Sequence, residues 1–178
     1  MKSYEKMFKI LNLFTMDRTS LSISEIEMEV KYPKSTIFRI LDTMEKFDYI
    51  VRNQDNHRYS LGFNFFRLGS IVQSQLDFRK VSLPIMKELV QQTKETVELN
   101  ILDDICRVCV EKVDSPLDVR NFVRIGERKA AYMGASGKVL IAFLPDVERK
   151  RIIDRLSEQE KCNSYILEDD LRTIKQQG

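Results

Sequence analysis

Residues 33–62 decide the fold of this chain, and they read PKSTIFRILDTMEKFDYIVRNQDNHRYSLG. The first half has aliphatic side chains at the i, i+3, i+4 and i+7 positions of a helix: Ile37, Ile40, Leu41 and Met44. This spacing puts them on one face, which must pack against other helices. The second half predicts short strands at 49–52 and 58–61 around a polar turn at 53–57, so the segment indicates a helix followed by a β-wing.

The opposite face of this helix carries groups that suit nucleic acid. Pro33 has the fixed φ of a first helical turn, so Lys34, Ser35 and Arg39 should lie near the exposed N-terminal end. Lysine attracts phosphate, the hydroxyl donates a hydrogen bond, and a forked guanidinium pairs with a guanine edge. The same groups also fit a plain solvated face. Winged helices bind proteins as well as DNA, so this helix does not by itself establish DNA binding.

Two helices are predicted before this segment. Met7, Ile10, Leu11 and Phe14 repeat the helical spacing and predict a first helix that ends near Met16. Residues 17–20 are predicted to be a polar connector.

The second helix has its own start signal. Ser22 and Glu25 form a capping box, which predicts a helix from Ile23 with Ile26 and Val30 facing inward. About three residues separate it from the next helix, which is the spacing of a helix-turn-helix.

Composition limits the function classes. The chain has 178 residues, 43% of them hydrophobic, and 29 basic against 27 acidic residues give a net charge of +2. This suits one large or two small globular domains without a strongly basic field. No apolar run reaches the length of a membrane span and the N-terminus lacks a signal-peptide core, so we expect a cytoplasmic protein with no membrane partner.

The cysteines do not indicate a metal or redox site. Cys106 and Cys109 form a C-x-x-C in ICRVCVEKV, but that β-branched run predicts a strand, where residues three apart point to opposite faces. Cys162 is distant, and the only histidine, His57, lies in the predicted wing. We therefore expect no metal, no cofactor and no catalytic site.

The run LSISEIEMEVKYPKSTIFRILDTMEKFDYIVRNQDNHRYSLG resembles the winged helix-turn-helix of the IclR family of bacterial transcriptional regulators. The family's PKST-aromatic-R-L-L core stands here at residues 33–41 as PKSTIFRIL. The likeness continues into LPIMKELVQQTKETVELNILDD, CVEKVDS and RIGERKAAYMGASGKVLIAFLP, so it covers essentially the whole chain.

This resemblance implies binding of double-stranded DNA at a palindromic operator. Phe38 lies one residue off the apolar stripe and suits a thymine methyl or the sugar backbone, while Asn56 and Arg58 in the wing would reach phosphates or the minor groove. The candidate DNA contacts are Ser22, Lys34, Ser35, Thr36, Phe38, Arg39, Asn56 and Arg58.

Three positions depart from the family pattern. Lys31 and Asp48 stand where the family usually has glycine, and a lysine held at positive φ costs about 1 kcal/mol. Asn56 stands where an Asp-Gly wing turn has its glycine, and we expect it to adopt positive φ.

The chain is predicted to have three parts. Residues 1–62 form the winged helix-turn-helix and 63–77 a linker helix with exposed aromatic side chains, and the resemblance implies that 78–178 form a GAF-like effector-binding domain. The resemblance implies that the linker pairs DNA-binding domains, giving a homo-dimer or a dimer of dimers, which also raises operator affinity. The alternative is that these aromatic side chains pack on the second domain.

The second domain is predicted to be α+β. A helix at 81–93 has Val81, Ile85, Leu89, Met86 and Val90 on its apolar face. Strands follow at 97–102, 106–113 and 119–124, with a hairpin turn at Asp103-Asp104, and then helices at 138–144 and 147–156.

Residues 126–140, GERKAAYMGASGKVL, are the best candidate for a small-molecule site. Small residues let a ligand approach the backbone, and the amides of a helix N-terminus suit a carboxylate. In the family this region lines the effector site, and many effectors are small organic acids. The candidate ligand contacts are Tyr132, Met133, Gly134, Ala135, Ser136 and Gly137; tight helix-on-sheet packing is the alternative interpretation of the same glycines and alanines.

The final segment ILEDDLRTIKQQG predicts a helix with Leu167, Leu171 and Ile174 apolar and Gly178 just past its end. Family members normally continue into further strands, so we expect an effector domain that is incomplete at the C-terminus. The resemblance thus implies a transcriptional repressor controlled by a small organic acid such as a sugar acid. A winged-helix protein-interaction module, or a ligand-insensitive partner of a full-length regulator, is the alternative.

Overall fold

The structure is a computed structural model that describes residues 3–160 and 162–177. It divides into two compact units between Gln75 and Leu76. The α+β prediction is confirmed, since each unit combines helices with a three-stranded antiparallel sheet. Within the described ranges, no helix has the length and apolar character needed to cross a membrane. The expected C-terminal glycine, Gly178, lies outside the described residues.

The first unit is a winged helix-turn-helix followed by one further helix. Its sheet has the strand order β1-β3-β2. The elements are α1 (Ser3–Leu11), β1 (Ser20–Leu21), α2 (Ile23–Val30), α3 (Lys34–Lys46), β2 (Ile50–Arg52), β3 (Tyr59–Leu61) and α4 (Phe63–Ser74).

The core of this unit forms where the three predicted helices meet the sheet, and the predicted stripe of α3 is confirmed. α1 ends at Leu11, earlier than the predicted Met16, and Phe14 packs against the core from the following loop. The buried side chains are Ile10, Leu21, Ile26, Ile37, Ile40, Leu41, Met44, Ile50 and Tyr59.

A strand precedes α2 where a polar connector was predicted. Ser20 pairs with Ser60 and Leu21 with Tyr59, so β1 is an edge strand of the wing sheet. Two residues are too few to show an alternating pattern, and only the distant partner strand makes them a strand.

Positive φ was expected at the three positions that depart from the family pattern, and two of them have it. Lys31 (φ 54°) and Asp48 (φ 57°) are left-handed, as expected where the family has glycine. The prediction for Asn56 is wrong, because His57 (φ 55°) is the wing residue with positive φ. The side-chain oxygen of Asn56 instead accepts a hydrogen bond from the Arg58 amide at 3.0 Å, which closes the turn locally.

The second unit packs helices on the sheet β4-β5-β6. The hairpin between β4 and β5 turns at residues 104–105, one residue later than predicted, because Asp103 still pairs with Cys106. The elements are α5 (Asp77–Thr93), β4 (Val97–Asp103), β5 (Cys106–Val113), β6 (Arg128–Ala130), α6 (Ala135–Ala142), α7 (Asp146–Glu160) and α8 (Ser164–Gln177).

The predicted strand at 119–124 is wrong, and the third strand is β6 instead. Val119 and Phe122 are exposed and only Val123 in this stretch is buried. The stretch has the residue types of a strand, but none of the strands in the described ranges pairs with it.

Only one of the two predicted apolar rows of α5 packs inward. Met86 and Val90 are buried, whereas Val81, Ile85 and Leu89 are exposed. The apolar face predicted from the helical period is therefore wider than the part of α5 that packs against the rest of the second unit. In α8 the predicted Leu167 and Leu171 are buried in the core with α6 and α7.

Candidate DNA-binding site

The burial of α3 determines which of its side chains meet solvent. Ile37 and Leu41 are fully buried, which fixes the rotation of the helix about its axis. Lys34 and Phe38, and likewise Ser35 and Arg39, are i, i+4 neighbours on the opposite side, and all are exposed; Phe38 keeps 51% of its surface in solvent. These four residues form one exposed edge of α3, as the sequence predicted, and Thr36 lies half-buried beside it.

The N-terminus of α3 is open. Pro33 precedes the helix with ψ 140°, one residue outside the position predicted for it, and no side chain caps the first turn. Thr36 and Ile37 donate to the Pro33 carbonyl, while the first two amides of the helix have no intrahelical acceptor. These amides and the helix dipole together favour an anion at this end.

The cations of α3 differ in how they are compensated. Lys34 lies 3.5 Å from Glu27 with 61% of its side chain exposed, which is a weak surface pair. Lys46, at the far end, lies 2.7 Å from Asp42. The Arg39 carbonyl accepts a hydrogen bond from the Thr43 hydroxyl, whereas its guanidinium has no hydrogen-bond or ion-pair partner in the described part of the chain and is available for a ligand.

Ser22 and Arg58 are half-buried, and both are hydrogen-bonded to Glu25. The Ser22 amide and hydroxyl each donate to Glu25 at 2.7 Å, which confirms the capping box. Arg58 donates to Glu25 at 3.0 Å and to the Ser20 hydroxyl and carbonyl at 3.0 and 2.9 Å. The bond from the Ser22 amide, then the Ser22 hydroxyl and Arg58, lower the pKa of Glu25 to about 2. These contacts join the wing to the start of α2.

The wing turn is ordered by its own polar side chains. Asn53 accepts from the amides of Asp55 and Asn56 at 2.9 and 3.2 Å. Asn56 is exposed, as predicted for a DNA contact. Arg52 was not among the sequence candidates, yet its guanidinium lies 3.2 Å from the His57 ring nitrogen Nδ1, within the same wing. Its position in a short β-strand gave no signal beyond its charge.

The candidate ligand segment is split between exposed and packed residues. Met133, Gly134 and Ala135 are exposed, Ser136 is half-buried, and Tyr132 packs against the core. Gly134 has φ 89°, a left-handed conformation that favours glycine.

Gly137 illustrates the packing interpretation of this segment. A Cβ at Gly137 would lie 2.2 Å from the Ala131 carbonyl oxygen, so a glycine is needed there for close packing of α6 on the chain that leaves β6. For this residue, contact with the protein itself accounts for the glycine without a ligand.

The C-x-x-C lies in β5, as the sequence predicted. Cys106 is half-buried and Cys109 fully buried. Burial raises the pKa of the Cys109 thiol, which disfavours the thiolate needed to bind a metal or attack a disulfide.

Comparisons with known proteins agree with this architecture. Residues 3–54 match the profile described as "IclR helix-turn-helix domain", and residues 71–178 match "Bacterial transcriptional regulator IclR C-terminal". The HTH-type transcriptional regulator KdgR of Escherichia coli (strain K12) is 33% identical over 97% of this chain and 67% of its own length. KipR of Bacillus subtilis (strain 168) is 33% identical over 97% of this chain and 63% of its length. The chain thus spans roughly two thirds of the length of these relatives.

Solved structures show the same fold. An IclR homolog from Microbacterium hydrocarbonoxydans, complexed with 4-hydroxybenzoate, has a TM-score of 0.78 at 24% identity over 99% of this chain and 75% of that one. The IclR protein of Thermotoga maritima has a TM-score of 0.62 at 25% identity over 99% and 73% of the two chains. Because the C-terminal profile alone covers more than half of its residues, this protein belongs to the IclR family of bacterial transcriptional regulators.

Proposed function

We propose that this chain is a sequence-specific DNA-binding regulator that acts as a repressor at a palindromic operator. The observation that carries the proposal is the exposed edge of α3, where Lys34, Ser35, Phe38 and Arg39 lie opposite a fully buried stripe. An α-helix with such an edge fits the major groove, and Arg39 is the residue assigned to a base edge.

Phosphate contacts come from the start of α3. Lys34 and the uncapped first amides of the helix sit at its positive end, where a backbone phosphate is stabilised. Thr36 adds a hydroxyl at the same turn, and Asn56 contacts the backbone or minor groove from the wing. Ser22 and Arg58 are assigned a smaller part: they reach DNA only by sharing or exchanging their bonds to Glu25.

We also propose that two or four copies act together. α4 has no buried residue, and Phe63 and Phe66 are 76% and 66% exposed. An exposed aromatic face on the helix after the wing suits pairing with a second copy, and pairing places two recognition helices on two half-sites. Sedimentation measurements should therefore give a dimer or a tetramer, and Phe63→Ser/Phe66→Ser should shift the chain toward monomer.

Control by a small organic acid is the third part of the proposal. The segment 132–137 offers Tyr132, Met133 and the start of α6, and a related fold is known with 4-hydroxybenzoate bound. An aromatic or sugar acid is therefore the class of effector to test first. Titration of the chain with 4-hydroxybenzoate, repeated with Met133→Ala, measures whether this segment binds it.

DNA binding is tested by fluorescence anisotropy with a duplex selected from a random library and with an unrelated duplex. If Arg39 reads a base, Arg39→Ala should weaken selected-site binding by about 1 to 3 kcal/mol and leave the unrelated duplex nearly unaffected. Lys34→Ala should weaken both and reduce the salt slope by about one.

Lys46→Ala is the matched control, because Lys46 is an exposed cation of the same helix at the opposite end. Its affinity for both duplexes should stay close to that of the unaltered chain. Failure to select any duplex at low salt would refute the proposal and favour a protein-interaction module; equal losses for all three variants would refute the division of roles.

A further inference from the structure

A cleft of about 590 Å³ lies between α6, α7 and α8, apart from the candidate ligand segment. None of the residues that line it belongs to 132–137. The α7 side has the i, i+3, i+4, i+7 spacing of a single helical face: Asp146, Arg149, Lys150 and Ile153. α8 contributes a second face with the same period, so the cleft is built by two helices that each turn one side toward it.

The floor of the cleft is apolar. Ala142, Ile153 and Leu171 line it, and each is at least 97% buried in the structure. They belong to the main core of the second unit, so the floor is rigidly supported. A floor of this kind binds the hydrocarbon part of a small molecule by excluding water.

The rim of the cleft is cationic. Lys150, Arg172 and Lys175 are exposed around it, and the half-buried Arg149 donates to Asp146 at 2.7 Å. Arg172 is 3.9 Å from Asp169, too far for a hydrogen bond. Within the described ranges, Lys150 and Lys175 have no ion-pair or hydrogen-bond partner.

The charges of the lining are not balanced. Four cationic side chains face two carboxylates, those of Asp146 and Glu168, which leaves a net charge of +2. Asp146 already accepts a hydrogen bond from Arg149, and Arg172 has a distant, exposed ion pair with Asp169 outside the lining, so the charge of the rim is only partly compensated. An anion with two charges would neutralise the rim, and the exposed donors there are two ammonium groups and one guanidinium.

We propose that this cleft binds a small dianion carried on an apolar body, either a phosphate monoester or a dicarboxylate. The volume lies in the range of small-molecule sites, the floor accepts the apolar body, and Lys150, Arg172 and Lys175 bind the charged head. None of the lining residues is a candidate operator contact or a member of the candidate effector segment.

Isothermal titration calorimetry of the full chain at low ionic strength tests this, with phenyl phosphate and phthalate as probes. Saturable one-site binding of either probe supports the proposal, and the tighter of the two identifies the head group. Benzyl alcohol lacks the charge and inorganic phosphate lacks the apolar body, so both should bind more weakly. Absence of binding of both probes at millimolar concentration would overturn the proposal.

Two variants locate the site. Lys150→Ala/Lys175→Ala removes two exposed ammonium groups that form no ion pair or side-chain hydrogen bond within the described ranges, so the fold should persist. The affinity for the probe should fall roughly tenfold or more. Lys150→Arg/Lys175→Arg keeps the charges and should retain binding. Lys87→Ala changes an exposed lysine of α5 outside the cleft and is the matched control.

Methyl NMR spectra report where the probe binds, which calorimetry does not. The probe should shift the methyl signals of Ile153 and Leu171 and leave that of Met133 unchanged. Shifts at Met133 alone would place the ligand at the other segment and overturn the proposal. So would a double alanine variant that loses DNA affinity but keeps its affinity for the probe.

Discussion

Replacing Gly62 by alanine should destabilise the winged helix because the backbone of another segment occupies the space of a side chain. Gly62 joins β3 to α4, and its amide donates to the Tyr49 carbonyl at 2.7 Å. A Cβ at this position would lie 2.2 Å from the Asp48 carbonyl oxygen and 2.9 Å from the Tyr49 carbonyl carbon. The dihedral angles of Gly62 (φ −79°, ψ 164°) suit any residue, so close approach alone demands glycine.

The magnitude follows from that overlap. The contact would be more than about 1 Å inside the van der Waals distance of roughly 3.5 Å, and backbone atoms cannot rotate away as a side chain does. Overpacking of this kind lowers the free energy of unfolding by about 1 to 3 kcal/mol. Alanine also reduces the conformational entropy of the unfolded chain, which offsets only about 0.4 to 1 kcal/mol of that loss. For a unit of this size we expect the melting temperature to fall by on the order of 10 °C.

Gly69→Ala is the matched control. Gly69 lies within α4, and a Cβ there would meet nothing within 4 Å. The same substitution should therefore raise the stability of the first unit by about 0.5 to 1 kcal/mol, since alanine favours the helix. The pair separates close approach from a general effect of adding a methyl group.

Calorimetry measures the melting temperatures of the chain. Hydrogen exchange in α3 and the wing then identifies which melting transition belongs to the first unit. Since Gly62 touches the turn after α3, its variant should also show faster exchange in residues 47–50 and weaker DNA binding. If Gly62→Ala melted at the same temperature as Gly69→Ala or above it, the argument from backbone overlap would be refuted.

Three further predictions concern single side chains. Because the pKa of Glu25 is lowered from 4.5 to about 2, the carboxylate stabilises the first unit above pH 4.5 and this contribution disappears as the pH falls toward 2; Glu25→Gln should flatten the pH dependence of stability in that window. Lys31→Gly should stabilise the same unit by about 1 kcal/mol in urea titrations, because it relieves a left-handed lysine with φ 54°; a loss of stability would contradict this. Leu41→Ala should cost about 2 to 5 kcal/mol by leaving a cavity under α3, and a loss below about 1 kcal/mol would mean that packing of α3 does not depend on this side chain.

Much of the first unit was predictable because its signals are local. The α3 stripe, the cap at Ser22 and the wing strands each depend on residues within one or two turns of each other. A helix whose inward face is known also has a known outward face. The exposed edge with Lys34 and Arg39 therefore followed from the sequence before any coordinates.

Other features depend on residues that are distant in the chain, and only the tertiary structure decided them. Arg58 was predicted to face DNA, but Ser20, 38 positions earlier, and Glu25 bind it in the folded wing. The stretch 119–124 has the composition of a strand but has no partner strand among the residues that the structure describes, and α5 buries only the row with Met86 and Val90. The cleft between α6, α7 and α8 likewise exists only because two helical faces converge. Periodicity determines which side of an element is apolar or charged, whereas the neighbours that cover that side are set by packing of the whole chain.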